Sequence, residues 1–145
     1  MTNSNNLIDS LEIYTLSNPD DVKPHWVSHF IVPTANELLI KIKNKDGNSG
    51  FGLATSYTDI GPLIKPFSNG LSDLIIGEDP FCPEKIYQKI FKLTDTKISN
   101  EKGWGKEAII RISAALDIAC WDLIGKSSNI PLYKLFGGFR NKVPV

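Results

Sequence analysis

The stretch that decides the fold runs from residue 106 to residue 138 and reads KEAIIRISAALDIACWDLIGKSSNIPLYKLFGG. Residues 106–124 contain neither Gly nor Pro and are rich in Ala, Ile and Leu, which favour a helix. Apolar residues cover most of its circumference, a pattern typical of a helix that is buried on most sides. The stretch therefore predicts a long helix over residues 106–125, ended by Gly125 and Lys126, and a short helix over residues 131–136.

The helix contains two carboxylates that could be catalytic or structural. Asp117 and Asp122 lie five positions apart, so they point about 140° away from each other and cannot share one substrate atom. Asp122 precedes Lys126 by one helical turn, the favourable order for a surface ion pair. Asp117 lies on an otherwise apolar face and needs a polar partner there. We interpret both as structural residues.

The run S-A-A-L-D-I-A-C-W-D-L-I-G-K-x4-P-L-Y-K-L-F-G-G, over residues 113–138, resembles the motif of the mandelate racemase/muconate lactonizing enzyme family of the enolase superfamily. Ile112 and Cys120 depart mildly from the family pattern, which bears on packing only. The resemblance implies an α+β fold, a three-stranded antiparallel sheet followed by a helical subdomain, like the N-terminal capping domain of that superfamily. It also implies that the catalytic (β/α)7β barrel is absent from this sequence.

The bulk composition fits one globular domain and excludes several classes of partner. The chain has 145 residues, with 16 basic and 16 acidic side chains, so nothing indicates nucleic acid or an acidic membrane surface. Its two cysteines are too few for a disulfide framework. The N-terminus has no secretion-signal pattern and no apolar run is long enough to span a membrane, so we expect a cytoplasmic protein.

The hydrophobic pattern predicts the remaining elements. Strands are expected over residues 7–16, 37–44 and 50–56, with a hairpin turn at Asp46-Gly47. Further helices are expected over residues 62–76 and 84–94, a long loop over residues 17–36, and a polar linker over residues 94–105. We assign residues 1–138 to the capping domain and residues 139–145 to the start of the missing barrel.

The family chemistry implied by the resemblance is expected outside this chain. Carboxylates at the ends of barrel strands hold one Mg2+, and lysine or histidine bases on other strands remove a proton next to a carboxylate group. None of those strands is in this sequence. We therefore expect no catalytic residue and no metal ligand here, and a fragment that is inactive alone and binds no Mg2+.

Two capping-domain loops of the family close over the substrate, and here they correspond to residues 17–36 and 56–61. Such loops exclude water and hold the distal end of the substrate. The side chains that we expect to contact substrate are His25, Trp26, His29 and Tyr57.

Three of these residues also have a plainer interpretation. The two histidines can be solvated loop residues, and Trp26 can anchor its loop by burying apolar area. The spacing of His25 and His29 would suit a metal pair on a helix, but Pro24 and Pro33 oppose a continuous helix there.

Three hypotheses for function follow. In the first, the chain caps a Mg2+-dependent sugar-acid dehydratase, because the predicted loops are polar and suit a hydroxylated acid. In the second, the parent enzyme is a racemase, epimerase or cycloisomerase of the same family. In the third, the chain is a non-catalytic, oligomerising interaction module. Without a barrel to cover it, the apolar helix would expose apolar surface, so we expect a homo-oligomer.

Overall fold

The computed structural model describes residues 5–17, 23–32, 36–140 and 142, and the side chains of His25, Val27 and Phe30 lie outside the described part. Three long strands, β1 (Ile8–Ser17), β4 (Asn36–Asn44) and β5 (Ser49–Ser56), form an antiparallel sheet in the order β1-β4-β5, with β4 in the middle. This confirms the predicted three-stranded sheet. The strands in chain order are β1 (Ile8–Ser17), β2 (His25–Val27), β3 (Phe30–Val32), β4 (Asn36–Asn44) and β5 (Ser49–Ser56).

The segment predicted as one long loop contains a small hairpin, so that prediction is wrong in part. Strands β2 and β3 pair antiparallel, with Trp26 opposite Ile31, across a turn at Ser28 and His29. β-branched and aromatic residues favour short strands here, and Val32 is fully buried. The turn lacks the Gly or Asn that normally marks a two-residue hairpin, which is why the pattern did not reveal it.

The helices follow the sheet along the chain. The segment predicted as a polar linker contains a helix, α3 (Lys97–Lys102), because the Thr96 hydroxyl accepts a hydrogen bond from the Ser99 backbone N–H and Gly103 ends the helix at φ 64°. Short 3₁₀ helices, Ser72–Leu74 and Lys92–Asp95, follow the first two helices. The α-helices are α1 (Gly61–Ser68), α2 (Pro83–Phe91), α3 (Lys97–Lys102), α4 (Lys106–Ser128) and α5 (Leu132–Leu135).

Helix α4 continues past Gly125, so the prediction that this glycine ends the helix is wrong. The helix ends at Asn129, which takes the left-handed conformation at φ 52°. Gly125 is instead buried inside the helix, where a Cβ atom would lie 3.2 Å from Leu132 Cδ2 and 3.3 Å from the Ile130 carbonyl oxygen. Its small size allows the chain after α4 to fold back against the helix.

The core lies between the sheet, α4 and the helices before it, with Leu63 of α1 and Ile86 and Ile90 of α2 in the same buried cluster. In β5, Gly50 and Gly52 face the helix backbone, and a side chain at either position would collide with it. Burial raises the pKa of the Cys120 thiol to about 12, which agrees with its prediction as a small apolar core residue. The fully buried large side chains of the sheet and of α4 are Ile8, Leu38, Ile40, Ile42, Ile109, Ile112, Leu116 and Leu123.

Helix α4 nevertheless leaves an apolar stripe exposed on the side away from the sheet. Ile110 is 38% exposed and Ile118 is 52% exposed. Further along, the ring of Trp121 meets the ring of Phe136 edge-on, with the centroids 4.8 Å apart. None of the described helices combines the length and the apolar character needed to cross a bilayer.

Candidate functional site

One cross-strand row brings the two predicted substrate loops to the same end of the sheet. Ser17 ends β1, Asn36 begins β4 and Ser56 ends β5, and the pairing register aligns Ser17 with Asn36 and Asn36 with Ser56. The Asn36 side-chain amide donates a hydrogen bond to the Thr58 carbonyl oxygen at 2.7 Å. The segment that carries the β2–β3 hairpin and the segment after β5 therefore leave the sheet side by side.

The loop after β5 is held by its own polar side chains. The Ser56 hydroxyl donates to the Asp59 carbonyl oxygen at 2.9 Å, and the Gly61 backbone N–H donates to Asp59 Oδ1 at 3.1 Å. Short side chains of this kind stabilise turns by bonding to the nearby backbone. The loop is therefore a defined turn that presents Tyr57 near its start.

A cleft of about 560 Å³ lies between this loop and the first turns of α1 and α4. Its walls are mainly apolar and also carry an aromatic ring, hydroxyl groups, a cation and carboxylates. An apolar wall with a few polar groups suits a small ligand that has both apolar and polar parts. Residues that line the cleft include Tyr57, Thr58, Asp59, Leu63, Glu107 and Arg111.

Arg111 links the loop to helix α4, and the sequence did not predict it as a site residue. Its guanidinium donates one hydrogen bond to the Thr55 carbonyl oxygen and another to Glu107 Oε1. It also lies over the ring of Tyr57, 5.7 Å from the ring centroid. The sequence contains one signal that points to Arg111: Glu107 and Arg111 are one helical turn apart, in the favourable acid-then-base order for an ion pair.

The predicted substrate-contacting residues lie on these two segments. Trp26 is 74% exposed on β2, and His29 is exposed in the hairpin turn. The His25 side chain lies outside the described residues, although its backbone pairs with Val32. Tyr57 is 39% exposed and lies against Arg111. The register brings the two segments to one end of the sheet, but it does not by itself place His29 next to Tyr57.

The two carboxylates of α4 have separate surroundings. Asp122 Oδ2 accepts a hydrogen bond from the Phe51 backbone N–H at 2.9 Å and pairs with Lys126, which confirms the predicted ion pair. Burial, assisted by the negative charge of Glu84, raises the pKa of the Asp117 carboxyl above its usual value. Neither carboxylate lines the cleft between the loop and α4.

Within the described part of the chain, no group of three or more His, Cys, Asp or Glu side chains is arranged to hold a metal ion. Asp59 and Glu107 line the cleft, but Glu107 is paired with Arg111 and Asp59 bonds to its own loop. The donor set of the described residues does not fit a magnesium site, and no chemical step through a metal can be derived from them.

Comparison with known proteins gives a family match over most of the chain. Residues 10–137 match the model of the family described as "Mandelate racemase / muconate lactonizing enzyme, N-terminal domain". The chain is 35% identical over 126 residues to an L-Ala-D/L-Glu epimerase of Clostridium acetobutylicum, covering 83% of this chain and 32% of the relative. It is 32% identical over 106 residues to an L-talarate/galactarate dehydratase of Salmonella typhimurium, covering 73% of this chain and 25% of the relative.

Solved structures agree with the sequence match. A racemase from Streptomyces coelicolor, with bound magnesium, superposes with a TM-score of 0.76 at 28% identity and covers 96% of this chain and 38% of its own. The chain thus spans between a quarter and about two-fifths of the proteins that it matches here. The similarity supports an α+β domain that forms one part of a longer enzyme in these proteins.

Proposed function

The chain belongs to the mandelate racemase/muconate lactonizing enzyme family, as its N-terminal domain, and we propose that it caps the active site of a Mg2+-dependent enzyme that removes the proton next to a carboxylate group. In this proposal the cap supplies substrate contacts and excludes water, while the metal ligands and the catalytic bases lie on a barrel outside this chain.

The observation that carries the proposal is the row formed by Ser17, Asn36 and Ser56. Two separate polar segments leave the sheet at that row, and the bond from Asn36 to the Thr58 carbonyl ties their bases together. Two loops at the same end of the sheet can cover a ligand that lies below them, since each loop contributes one wall. The proposed substrate contacts are His25, Trp26, His29 and Tyr57. Arg111 lines the cleft beside Tyr57.

The reaction that we favour is dehydration of a sugar acid. Removing the proton on the carbon next to the carboxylate gives an enediolate, and loss of hydroxide from the following carbon completes the elimination of water. The enol that forms becomes a 2-keto-3-deoxy acid. Exposed Ser28, His29 and Thr58 can hydrogen-bond to the hydroxyl groups of such a substrate. The similarity to an L-talarate/galactarate dehydratase supports this choice.

Epimerisation is the second candidate, because the chain is 35% identical to an L-Ala-D/L-Glu epimerase. Both reactions start with removal of the same proton. They then differ in whether water is lost from the substrate. A dehydratase produces a ketone that semicarbazide detects, whereas an epimerase exchanges the proton with deuterium from D2O and loses no water. Assaying the whole enzyme against hydroxylated acids and dipeptides with both methods distinguishes the two candidates.

The capping role is tested in the whole enzyme by Tyr57→Phe, which removes one hydroxyl from the loop. We expect KM for the acid to rise several-fold with a smaller change in kcat, because a remote contact mainly affects binding. Tyr87→Phe is the matched control, since Tyr87 stacks on Phe91 at 5.4 Å in α2, away from the loops. Equal kinetics for Tyr57→Phe, His29→Ala and the control would refute substrate contact by these loops.

The exposed stripe of α4 fits the same proposal. Ile110 and Ile118 lie on the side away from the sheet and would be covered by the barrel in the whole enzyme. The homo-oligomer and the cytoplasmic location remain predictions.

A further inference from the structure

We propose that Arg111 is the positioning residue that holds the loop after β5 in its substrate-facing arrangement, so that helix α4 sets the orientation of Tyr57. This inference rests on the proposed capping function and adds a residue that lies outside both predicted loops. Its basis is that one guanidinium contacts the strand before the loop, the ring at the start of the loop and the helix beneath it.

The contact with Thr55 satisfies a backbone group at the end of an edge strand. Strand β5 lies at the edge of the sheet, so part of its backbone faces away from β4. Thr55 is the residue before the last one of β5, and its carbonyl oxygen accepts a hydrogen bond from the Arg111 guanidinium. A charge-assisted bond at this point fixes where the strand ends and where the loop starts.

The contact with Tyr57 acts on the side chain that is proposed to meet substrate. The guanidinium lies 5.7 Å from the ring centroid, within the range of a cation–π interaction. The backbone of the loop is held separately, by bonds at Ser56, Asp59 and Thr58. The planar guanidinium packs against the Tyr57 ring and so acts on its side chain directly.

Glu107 orients the guanidinium itself. It lies one helical turn before Arg111 and pairs with the second terminal nitrogen, which leaves the first directed to Thr55. The Arg111 side chain is 31% exposed and that of Glu107 is 79% exposed, so the pair lies at the mouth of the cleft and not in the core. Its loss should therefore affect the loop more than the fold.

The test measures loop order in the chain itself, using backbone 15N order parameters of residues 57–60. Arg111→Met keeps the aliphatic length and removes the cation, and we expect the order parameters to fall from about 0.85 to below about 0.6. Lys126→Met is the matched control, because Lys126 also lies over an aromatic ring, Phe51 at 4.6 Å, and pairs with a carboxylate one turn away on the same helix. We expect the control to leave the loop unchanged.

Arg111→Lys gives a second test that does not depend on how well the Met variant folds. Lysine retains the charge and one donor for Thr55 but lacks the planar fork, so partial recovery of loop order is expected. Unchanged order parameters in both Arg111 variants, or an equal loss in the Lys126 control, would overturn the positioning role.

Kinetics of the whole enzyme separate this inference from the proposed function. If both hold, Arg111→Met raises KM several-fold with a smaller effect on kcat. If the loop loses order but KM stays the same, Arg111 positions a loop that does not contact substrate, which overturns its role in the reaction and the capping function together. If Tyr57→Phe raises KM and Arg111→Met changes neither loop order nor KM, the capping function stands and the inference about Arg111 fails.

Discussion

Gly52 in β5 approaches helix α4 so closely that a Cβ atom at this position would lie 1.8 Å from the Ala115 carbonyl oxygen. The neighbouring atoms belong to the helix backbone and cannot rotate away as a side chain would. Gly52→Ala should therefore push α4 off the sheet and lower the free energy of unfolding by about 3 kcal/mol, the upper part of the usual range for overpacking. Urea denaturation followed by circular dichroism measures this change.

Gly105→Ala is the control for that substitution. Gly105 precedes α4 with φ −66° and ψ 138°, and an added Cβ meets no atom within 4 Å. We expect a change within about 0.5 kcal/mol. Similar effects at Gly52 and Gly105 would contradict the close contact between β5 and α4.

The raised pKa of Asp117 predicts how the stability of the folded chain depends on pH. Burial first, and Glu84 second, raise the pKa of its carboxyl, so the ionised form is disfavoured in the folded chain. The free-energy cost of ionising Asp117 in the folded chain is absent below the unfolded-state pKa of about 3.9. It grows as the pH rises through the folded-state pKa and is fully present above it. Asp117→Asn should raise the melting temperature at neutral pH and leave it unchanged at strongly acidic pH.

Scanning calorimetry at the two pH values measures the difference. Glu84→Gln is a useful companion, because it removes only the second cause and should give a smaller gain of the same sign. A neutral-pH loss of stability in Asp117→Asn would mean that the charge is stabilised in the folded chain, contrary to the burial argument.

The exposed stripe of α4 predicts self-association of the isolated chain. Ile118 is 52% exposed and Ile110 is 38% exposed on the same helix, so the chain alone presents an apolar surface to water. Ile118→Glu should shift the chain toward a monomer in size-exclusion light scattering. Ile98→Glu is a matched control, because Ile98 is 53% exposed on α3, outside the stripe. A monomeric wild-type chain at high concentration would contradict this prediction.

The regular elements were predictable because their signals are local. Alternation over residues 37–44 and apolar spacing over residues 106–124 repeat with the periods of a strand and a helix. The end of α4 was predicted wrongly at Gly125, because a buried glycine against Leu132 resembles a terminating glycine in the sequence.

The candidate site was only partly predictable. Tyr57 could be predicted as a site residue because it comes directly after a strand. The proposed role of Arg111 depends on its contact with Thr55, which lies 56 residues away in the sequence. A pairing at that distance follows from how α4 packs on β5, and neither spacing nor composition reveals it. The β2–β3 hairpin was missed for a local reason, since Ser28 and His29 are unusual residues for a tight turn.

Hydrogen–deuterium exchange on the whole enzyme, with Mg2+ and with or without an acid that it turns over, tests the capping function most directly. We predict that peptides covering residues 23–32 and 56–61 exchange more slowly when the acid is bound, while helix α2 (Pro83–Phe91) is unchanged. Unchanged exchange in both loops with the acid bound would contradict the proposal that this domain closes over the substrate.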